Sequence, residues 1–152
     1  MKILGIDPGS SLTGFGILED GKFVEYGCIR TENKLTSLFY QTKEIIEKHK
    51  PNAMAIEKLF FSQNTKTALR VGEARGVLLL CAAFAELTIA EYTPLEVKMA
   101  VTGYGKADKQ QVQQMVKSLL GLKEIPKPDD AADALAVAIC HENSYRIKEM
   151  IK

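Results

Sequence analysis

Two short apolar runs, each ended by an acidic residue, constrain the fold of this chain more than any other feature. The run at residues 3–6 ends at Asp7, and the run at residues 53–56 ends at Glu57. Short continuous apolar runs indicate strands that are buried on both faces. Because neighbouring strands of this kind bring their ends together, the sequence predicts a sheet edge that carries both carboxylates.

The rest of the chain alternates between strand-like and helix-like spacing of apolar residues. The turn signal Asp20-Gly21 between two strand patterns predicts a hairpin, so the chain should open with a three-stranded antiparallel meander. We therefore expect an α/β fold in a single domain over residues 1–152, a five-stranded mixed sheet in which two parallel strands join the meander and helices flank both. The predicted strands are 3–6, 13–18, 23–30, 53–56 and 87–92, and the predicted helices are 35–50, 64–86, a short one after 94, 112–119 and one from about 129.

Several single residues carry predictions about helix ends and helix packing. Gly72 and Gly76 lie four apart in a predicted helix, where glycine is costly, and this indicates a close approach of another helix. The predicted helix ends are a cap at Asn64, a stop at Pro51, a stop at Gly121 and a cap at Asp129 or Asp130.

Composition limits which cellular compartment and which class of binding partner are expected for this protein. The cysteines Cys28, Cys81 and Cys140 form no C-x-x-C motif and lie in apolar stretches, which predicts buried free thiols in a reducing cytoplasm. The most apolar run, residues 76–85, is too short to span a bilayer, and no signal peptide or membrane is expected. Residues 58–127 hold ten Lys and Arg against six Asp and Glu. This basic excess is compatible with a surface that faces phosphates and also with a solvated helix face.

Two further acids, Asp130 and Asp133, lie three apart at the start of a predicted helix and so share a face. Together with the two strand-end acids they would repel each other unless divalent cations bind, and Mg²⁺ prefers such oxygen ligands. Two such ions about 4 Å apart stabilise the attacking and leaving oxygens of phosphodiester cleavage. Each acid alone has an ordinary explanation as a turn residue, a helix cap or a solvated strand end. The pattern alone therefore leaves a metal-dependent phosphoryl-transfer site as one possibility.

Four segments between residues 3 and 141 carry a much more specific signal. In their order and spacing they resemble the bacterial RuvC family of Holliday-junction resolvases. The first alone would be weak, because actin-like ATPases have a similar phosphate loop. The segments are Gly5-Ile6-Asp7-Pro8-Gly9 with Thr13-Gly14-Phe15-Gly16, residues 56–76 beginning Ile56-Glu57-Lys58, residues 93–112 beginning Thr93-Pro94-Leu95, and Asp130-Ala131-Ala132-Asp133.

The resemblance implies an RNase H-like fold, a homodimer and a nuclease that cuts four-way DNA junctions with two Mg²⁺ ions per active site. It implies hydrolysis that leaves a 5′-phosphate and a 3′-hydroxyl, and partnership with the RuvA–RuvB branch-migration complex. The implied catalytic and metal-binding residues are Asp7, Glu57, Asp130 and Asp133.

The resemblance also implies contacts with DNA. Lys98 and Lys109 match basic residues near the scissile phosphate, where their charge would offset that of the transition state. Phe60 matches an aromatic residue that stacks on a base near the crossover. Solvated lysines and a phenylalanine in the core or dimer interface are the ordinary alternatives. Arg70 and Arg75 are candidates for phosphate contacts or for support of the dimer.

Two residues in the matching segments are expected to be structural. Phe61 is assigned to packing, and His141 is expected to be a hydrogen-bonded histidine in the interior rather than a metal ligand.

Three other functions stay open beside the junction nuclease. They are an RNase H-like nuclease acting on ribosomal RNA precursors, an ATP-binding actin-like domain and a non-catalytic junction-binding module.

Overall fold

A computed structural model describes residues 1–32, 34–59 and 65–152. The predicted stacking residue Phe60, its neighbour Phe61 and the predicted cap Asn64 lie outside this range. The strands are β1 (Lys2–Asp7), β2 (Leu12–Glu19), β3 (Lys22–Arg30), β4 (Ala53–Glu57) and β5 (Thr88–Tyr92). The helices are α1 (Leu35–His49), α2 (Thr65–Phe84), α3 (Pro94–Thr102), α4 (Lys109–Leu120) and α5 (Asp129–Ile151).

The five strands form one mixed sheet in the order β3-β2-β1-β4-β5. β1 pairs antiparallel with β2 and parallel with β4, and β5 adds a second parallel pair beside β4. Asp20 and Gly21 both have positive φ, 51° and 78°, which is the backbone of a tight hairpin turn. The predicted sheet and its opening meander are therefore confirmed.

Helices cover both faces of the sheet. Successive side chains of a strand point to opposite faces, so the core consists of two layers, one on each side of the sheet. Leu4, Ile17 and Met54 pack against α1 and α2, in a cluster that includes Leu38 and Leu78. Their strand neighbours Ile3, Leu18 and Ala55 pack against the other face, with apolar residues of α3, α4 and α5. The parallel strands β1 and β4 are consequently buried on both sides, which explains their continuous apolar runs, whereas β5 at the sheet edge is largely exposed.

The α5 helix lies unusually close to the sheet because glycines of β1 and β2 face it. A Cβ atom at Gly14 would lie 1.9 Å from the carbonyl oxygen of Asp130, and one at Gly5 would lie 2.2 Å from the carbonyl oxygen of Ala134. No larger residue fits at such distances, since the helix backbone itself fills the space. The first turn of α5 is thereby held against the edge where β1 ends.

Some of the predicted helix ends are confirmed and one is wrong. Gly121 ends α4 with a φ of 63°, and α1 ends at His49, with Lys50 in the left-handed region just before Pro51. The predicted cap of α5 is wrong. Pro128 occupies the N-cap, and Asp129 and Asp130 lie inside the first turn without any side-chain cap hydrogen bond.

The prediction of a close helix approach at Gly72 and Gly76 is wrong within one copy of the chain. Among the residues that the structure describes, a Cβ atom at Gly76 would meet nothing within 4 Å, and one at Gly72 would meet only Leu59, at an ordinary 3.5 Å. Gly76 therefore lies on a side of α2 that the described residues leave open, whereas Leu59 lies beside Gly72.

The prediction of buried free thiols is confirmed for two of the three cysteines. Cys81 and Cys140 are buried free thiols, whereas Cys28 is only half-buried because it lies on β3 at the sheet edge. In the part of the chain that the structure describes, no helix is long and apolar enough to cross a membrane.

Replacing Gly14 by alanine should lower the free energy of unfolding by about 3 kcal/mol, because the methyl group would force α5 away from the sheet. Chemical denaturation followed by circular dichroism measures this change. Gly72→Ala is the matched control, and it should keep or raise stability because its Cβ has room and alanine favours helix. Equal midpoints for Gly14→Ala and the parent would contradict the close contact.

Candidate active site

The four predicted acids come together at one edge of the sheet, although they are distant in sequence. Ile6 and Ile56 are partners in the parallel β1–β4 pair, so Asp7 and Glu57 follow side by side at the ends of these strands. Gly14 is the antiparallel partner of Asp7, and its missing side chain admits the start of α5 there. Asp130 and Asp133 on α5 therefore face the two strand-end acids.

Crowding of these carboxylates changes their affinity for protons. Burial raises the pKa of Asp7 to about 8, and the charges of Asp133, Asp130 and Glu57 and a hydrogen bond with Asp130 add to the effect. Burial also raises the pKa of Glu57 and that of Asp133, each against the opposing charge of a nearby lysine. Asp7, Glu57 and Asp133 therefore bind protons more tightly than isolated carboxylates do.

The chemistry of this donor set fits a hard divalent cation. Its four acids offer only oxygen donors and carry more negative charge than the neighbouring lysines balance, which suits Mg²⁺. Among residues 1–32, 34–59 and 65–152, no three His, Cys, Asp or Glu side chains already stand around a common point as metal ligands do.

Two lysines from different helices border the acids, as the resemblance implied. The positive charge of Lys98 on α3 acts against the raised pKa of Glu57. Lys109, at the start of α4, has its Nζ 3.2 Å from Oδ2 of Asp129 and 3.7 Å from Oδ2 of Asp133. Burial lowers the pKa of Lys109, but Asp133 and Asp129 outweigh it, so the net pKa is raised and the ammonium stays charged.

The two candidate arginines lie at different distances from the acids. Arg75 lines a cavity of about 270 Å³ together with Asp7 and Glu57, and its Nη2 donates to Glu91. Its buried Nε has no hydrogen-bond partner in the described part of the chain. Arg70 lines a separate pocket with Ser10 and Thr31. Only Arg75 therefore borders the acids directly, and a DNA contact for either arginine stays a prediction.

His141 is a structural residue, as predicted. Its buried ring shares a 2.7 Å hydrogen bond between Nδ1 and the hydroxyl of Tyr92. Burial lowers the pKa of His141, which keeps the ring neutral near pH 7. Tyr92 ends β5 beside Glu57, so it occupies the third strand end at this edge. The sequence analysis did not single it out, although strand-end position was the signal that identified both neighbouring acids.

Comparison with known proteins agrees with this arrangement. The family model for the crossover junction endodeoxyribonuclease RuvC matches residues 3–141. The RuvC of Desulforamulus reducens is 56% identical over 151 residues, which is 93% of this chain and 93% of that protein. The RuvC of Halothermothrix orenii is 54% identical over 157 residues, covering 97% of this chain and 95% of that protein.

The solved structure of Thermus thermophilus RuvC in complex with a Holliday junction substrate superimposes with a TM-score of 0.89 at 32% identity, covering 97% of this chain and 96% of that one. The fold and the acidic edge define an RNase H-like nuclease. Within that class, the chain belongs to the RuvC family of crossover junction endodeoxyribonucleases.

The raised pKa of Asp7 predicts how stability depends on pH. Between its ordinary value of 3.8 and about 8, Asp7 is protonated in the folded chain and ionised in the unfolded chain. Because the folded state then binds more protons, stability falls as the pH rises through this window. At pH 8 without divalent cations, Asp7→Asn should therefore raise the Tm, by about 4 °C or more.

Thermal melts from pH 4 to pH 8 test this effect, with Glu44→Gln, an exposed acid of α1, as the matched control. The control should follow the parent at every pH. Added Mg²⁺ should raise the Tm of the parent and leave that of Asp7→Asn nearly unchanged. A Tm for Asp7→Asn below that of the parent at pH 8 would show that the ionised carboxylate is not destabilising.

Proposed function

We propose that this chain is a structure-selective endonuclease that resolves four-way DNA junctions by paired symmetric nicks, in recombination and repair. The observation that carries the proposal is the meeting of four acids and two lysines at one edge of an RNase H-like sheet, in a chain of the RuvC family. Junction DNA is the substrate named for the similar Thermus thermophilus structure.

The four acids share one chemical role in this proposal, which is to bind divalent cations. Asp7, Glu57, Asp130 and Asp133 would hold two Mg²⁺ ions, which when bound supply charge stabilisation for the attacking and leaving oxygens of the phosphodiester. Asp7 holds a proton near neutral pH, and binding of a cation by this carboxylate would displace the proton. Hydrolysis then leaves a 5′-phosphate and a 3′-hydroxyl.

The two lysines complete the electrostatics of the site in the proposal. Lys98 on α3 and Lys109 on α4 border the acids, and the ammonium of Lys109 stays charged beside Asp133 and Asp129. Such charges stabilise the negative charge that grows in the transition state. Phe60 stacks on a base near the crossover, Arg75 provides a phosphate contact beside the site, and Arg70 provides one farther from the acids.

A homodimer follows from the need for two nicks related by twofold symmetry. The α2 helix supports it, because Leu69, Leu80 and Phe84 are exposed along one face, with 63%, 50% and 74% of their surface accessible. Gly76 lies on the same face, and a Cβ atom there would meet none of the residues that the structure describes within 4 Å, so a second helix can approach. An exposed apolar face of this kind is typical of a subunit contact.

The remaining parts of the proposal concern the cellular setting. We place the protein in the cytoplasm, as one nuclease domain over residues 1–152, acting with the RuvA–RuvB branch-migration complex. Family membership supports these assignments. It also favours a junction nuclease over a nuclease for ribosomal RNA precursors, a non-catalytic binding module or an actin-like ATPase.

Leu80→Glu should convert the dimer to monomers, because two charges would be buried where two copies of α2 meet. Light scattering coupled to size-exclusion chromatography measures the mass. Leu119→Glu on α4 is the matched control, since Leu119 is also 50% exposed and lies away from α2. The control should remain dimeric. A dimeric Leu80→Glu protein would contradict this interface.

A synthetic four-way junction with Mg²⁺ tests the activity directly. The parent should make symmetric paired nicks that a ligase can reseal, and Asp7→Asn should lose about 100-fold or more of the rate while still binding the junction. Glu44→Gln should cut normally. Cleavage of structured RNA but not of the junction would favour the RNA nuclease, ATP hydrolysis without DNA would favour the actin-like domain, and junction binding without cleavage by the parent would favour the binding module.

A further inference from the structure

Asp129 stands beside the acidic site but is not one of the four acids assigned to it. Both of its carboxylate oxygens have partners: Oδ1 accepts a 3.1 Å hydrogen bond from Nε2 of Gln113, and Oδ2 lies 3.2 Å from Nζ of Lys109. Asp129 therefore binds a catalytic lysine instead of capping α5.

Gln113 and Lys109 are placed on α4 so that both can reach this carboxylate. They are four residues apart, one helical turn, and so point from the same face of the helix. The amide of Gln113 fixes one oxygen of Asp129, which leaves the other directed at the ammonium. The hydrogen bond from Gln113 to Asp129 and the ion pair from Asp129 to Lys109 thus set the position of Lys109.

The ammonium of Lys109 is shared between an acid inside the site and one outside it. It lies 3.2 Å from Asp129 and 3.7 Å from Asp133, which is one of the acids expected to hold a divalent cation. Two cations cannot both stand close to one carboxylate without strong repulsion. An ammonium held by Asp133 alone would therefore compete with the divalent cation, whereas one shared with Asp129 can withdraw by a short distance.

We propose that Asp129, oriented by Gln113, is a positioning residue that holds the Lys109 ammonium at the rim of the acidic site and so frees Asp133 for a divalent cation. The proposal rests on the proposed function to the extent that the four acids bind such a cation. Asp129 itself acts only through Lys109. The lysine stays next to the site, where it faces the phosphate of the substrate.

Binding of Mn²⁺ to the full-length protein without DNA tests this role, with free Mn²⁺ followed by electron paramagnetic resonance. Asp129→Asn should weaken binding by about threefold to fivefold, the range expected for loss of one exposed ion pair. Lys109→Met should bind more tightly than the parent, because the competing ammonium is gone. In the Lys109→Met background, Asp129→Asn should change binding by less than about twofold.

Three further variants test the same series of contacts, from Gln113 through Asp129 to Lys109, without changing any charge. Gln113→Leu releases Asp129 and should weaken Mn²⁺ binding in the same direction as Asp129→Asn, whereas Gln114→Leu on an exposed part of the same helix should leave it unchanged. Asp129→Glu keeps the negative charge and should recover part of the lost affinity. These variants separate positioning of the lysine from the general charge of the surface.

The outcomes distinguish the possible roles of Asp129. If Asp129→Asn weakens binding equally with and without Lys109, the aspartate acts as a ligand or through its charge alone, and the proposal is wrong. The proposal is also wrong if Asp129→Asn binds as the parent does. Junction cleavage by the parent is measured on the same preparation: a parent that binds Mn²⁺ but cuts no junction overturns the proposed function, while the Mn²⁺ comparison still decides the role of Asp129.

Discussion

The contact between the backbone of α5 and the glycines of the sheet is the constraint on which the rest of the structure depends. At Gly14 the helix comes so near that a single Cβ atom would lie 1.9 Å from the carbonyl oxygen of Asp130. This approach brings acids from the end of the chain against Asp7, which lies near its beginning. The acidic site therefore exists because β2 lacks side chains at the position where α5 begins, and packing and function are specified by the same residues.

The electrostatics of the site work against the stability of the chain. Burial and mutual repulsion hold the pKa of Asp7 near 8, so ionisation of the site costs free energy that hydrophobic packing of the sheet and helices offsets. The lysines on α3 and α4 relieve part of the repulsion, and a divalent cation would relieve more. Residues retained at the expense of stability are typical of active sites, and this supports a functional rather than a structural reason for the gathered acids.

The sequence predicted the strand-end acids and the sheet because both depend on local patterns. Asp7 and Glu57 follow apolar runs, and parallel pairing of β1 and β4 then places them side by side. Asp130 was predicted as a site residue, but the predicted cap of α5 was wrong, since Pro128 takes that position. Local spacing carries no information on which face of α5 meets the sheet. The close contact between Gly14 and the α5 backbone, and the ion pair between Asp129 and Lys109, are therefore visible only in the folded structure.

Anomalous X-ray diffraction from crystals soaked in Mn²⁺ tests the central claim most directly, because it locates the cation itself. The account predicts Mn²⁺ between Asp7, Glu57, Asp130 and Asp133, with carboxylate oxygens about 2.0–2.3 Å from the ion and the Lys109 ammonium beside Asp129. Mn²⁺ bound elsewhere in the chain, with these four side chains directed away from one another, would contradict it.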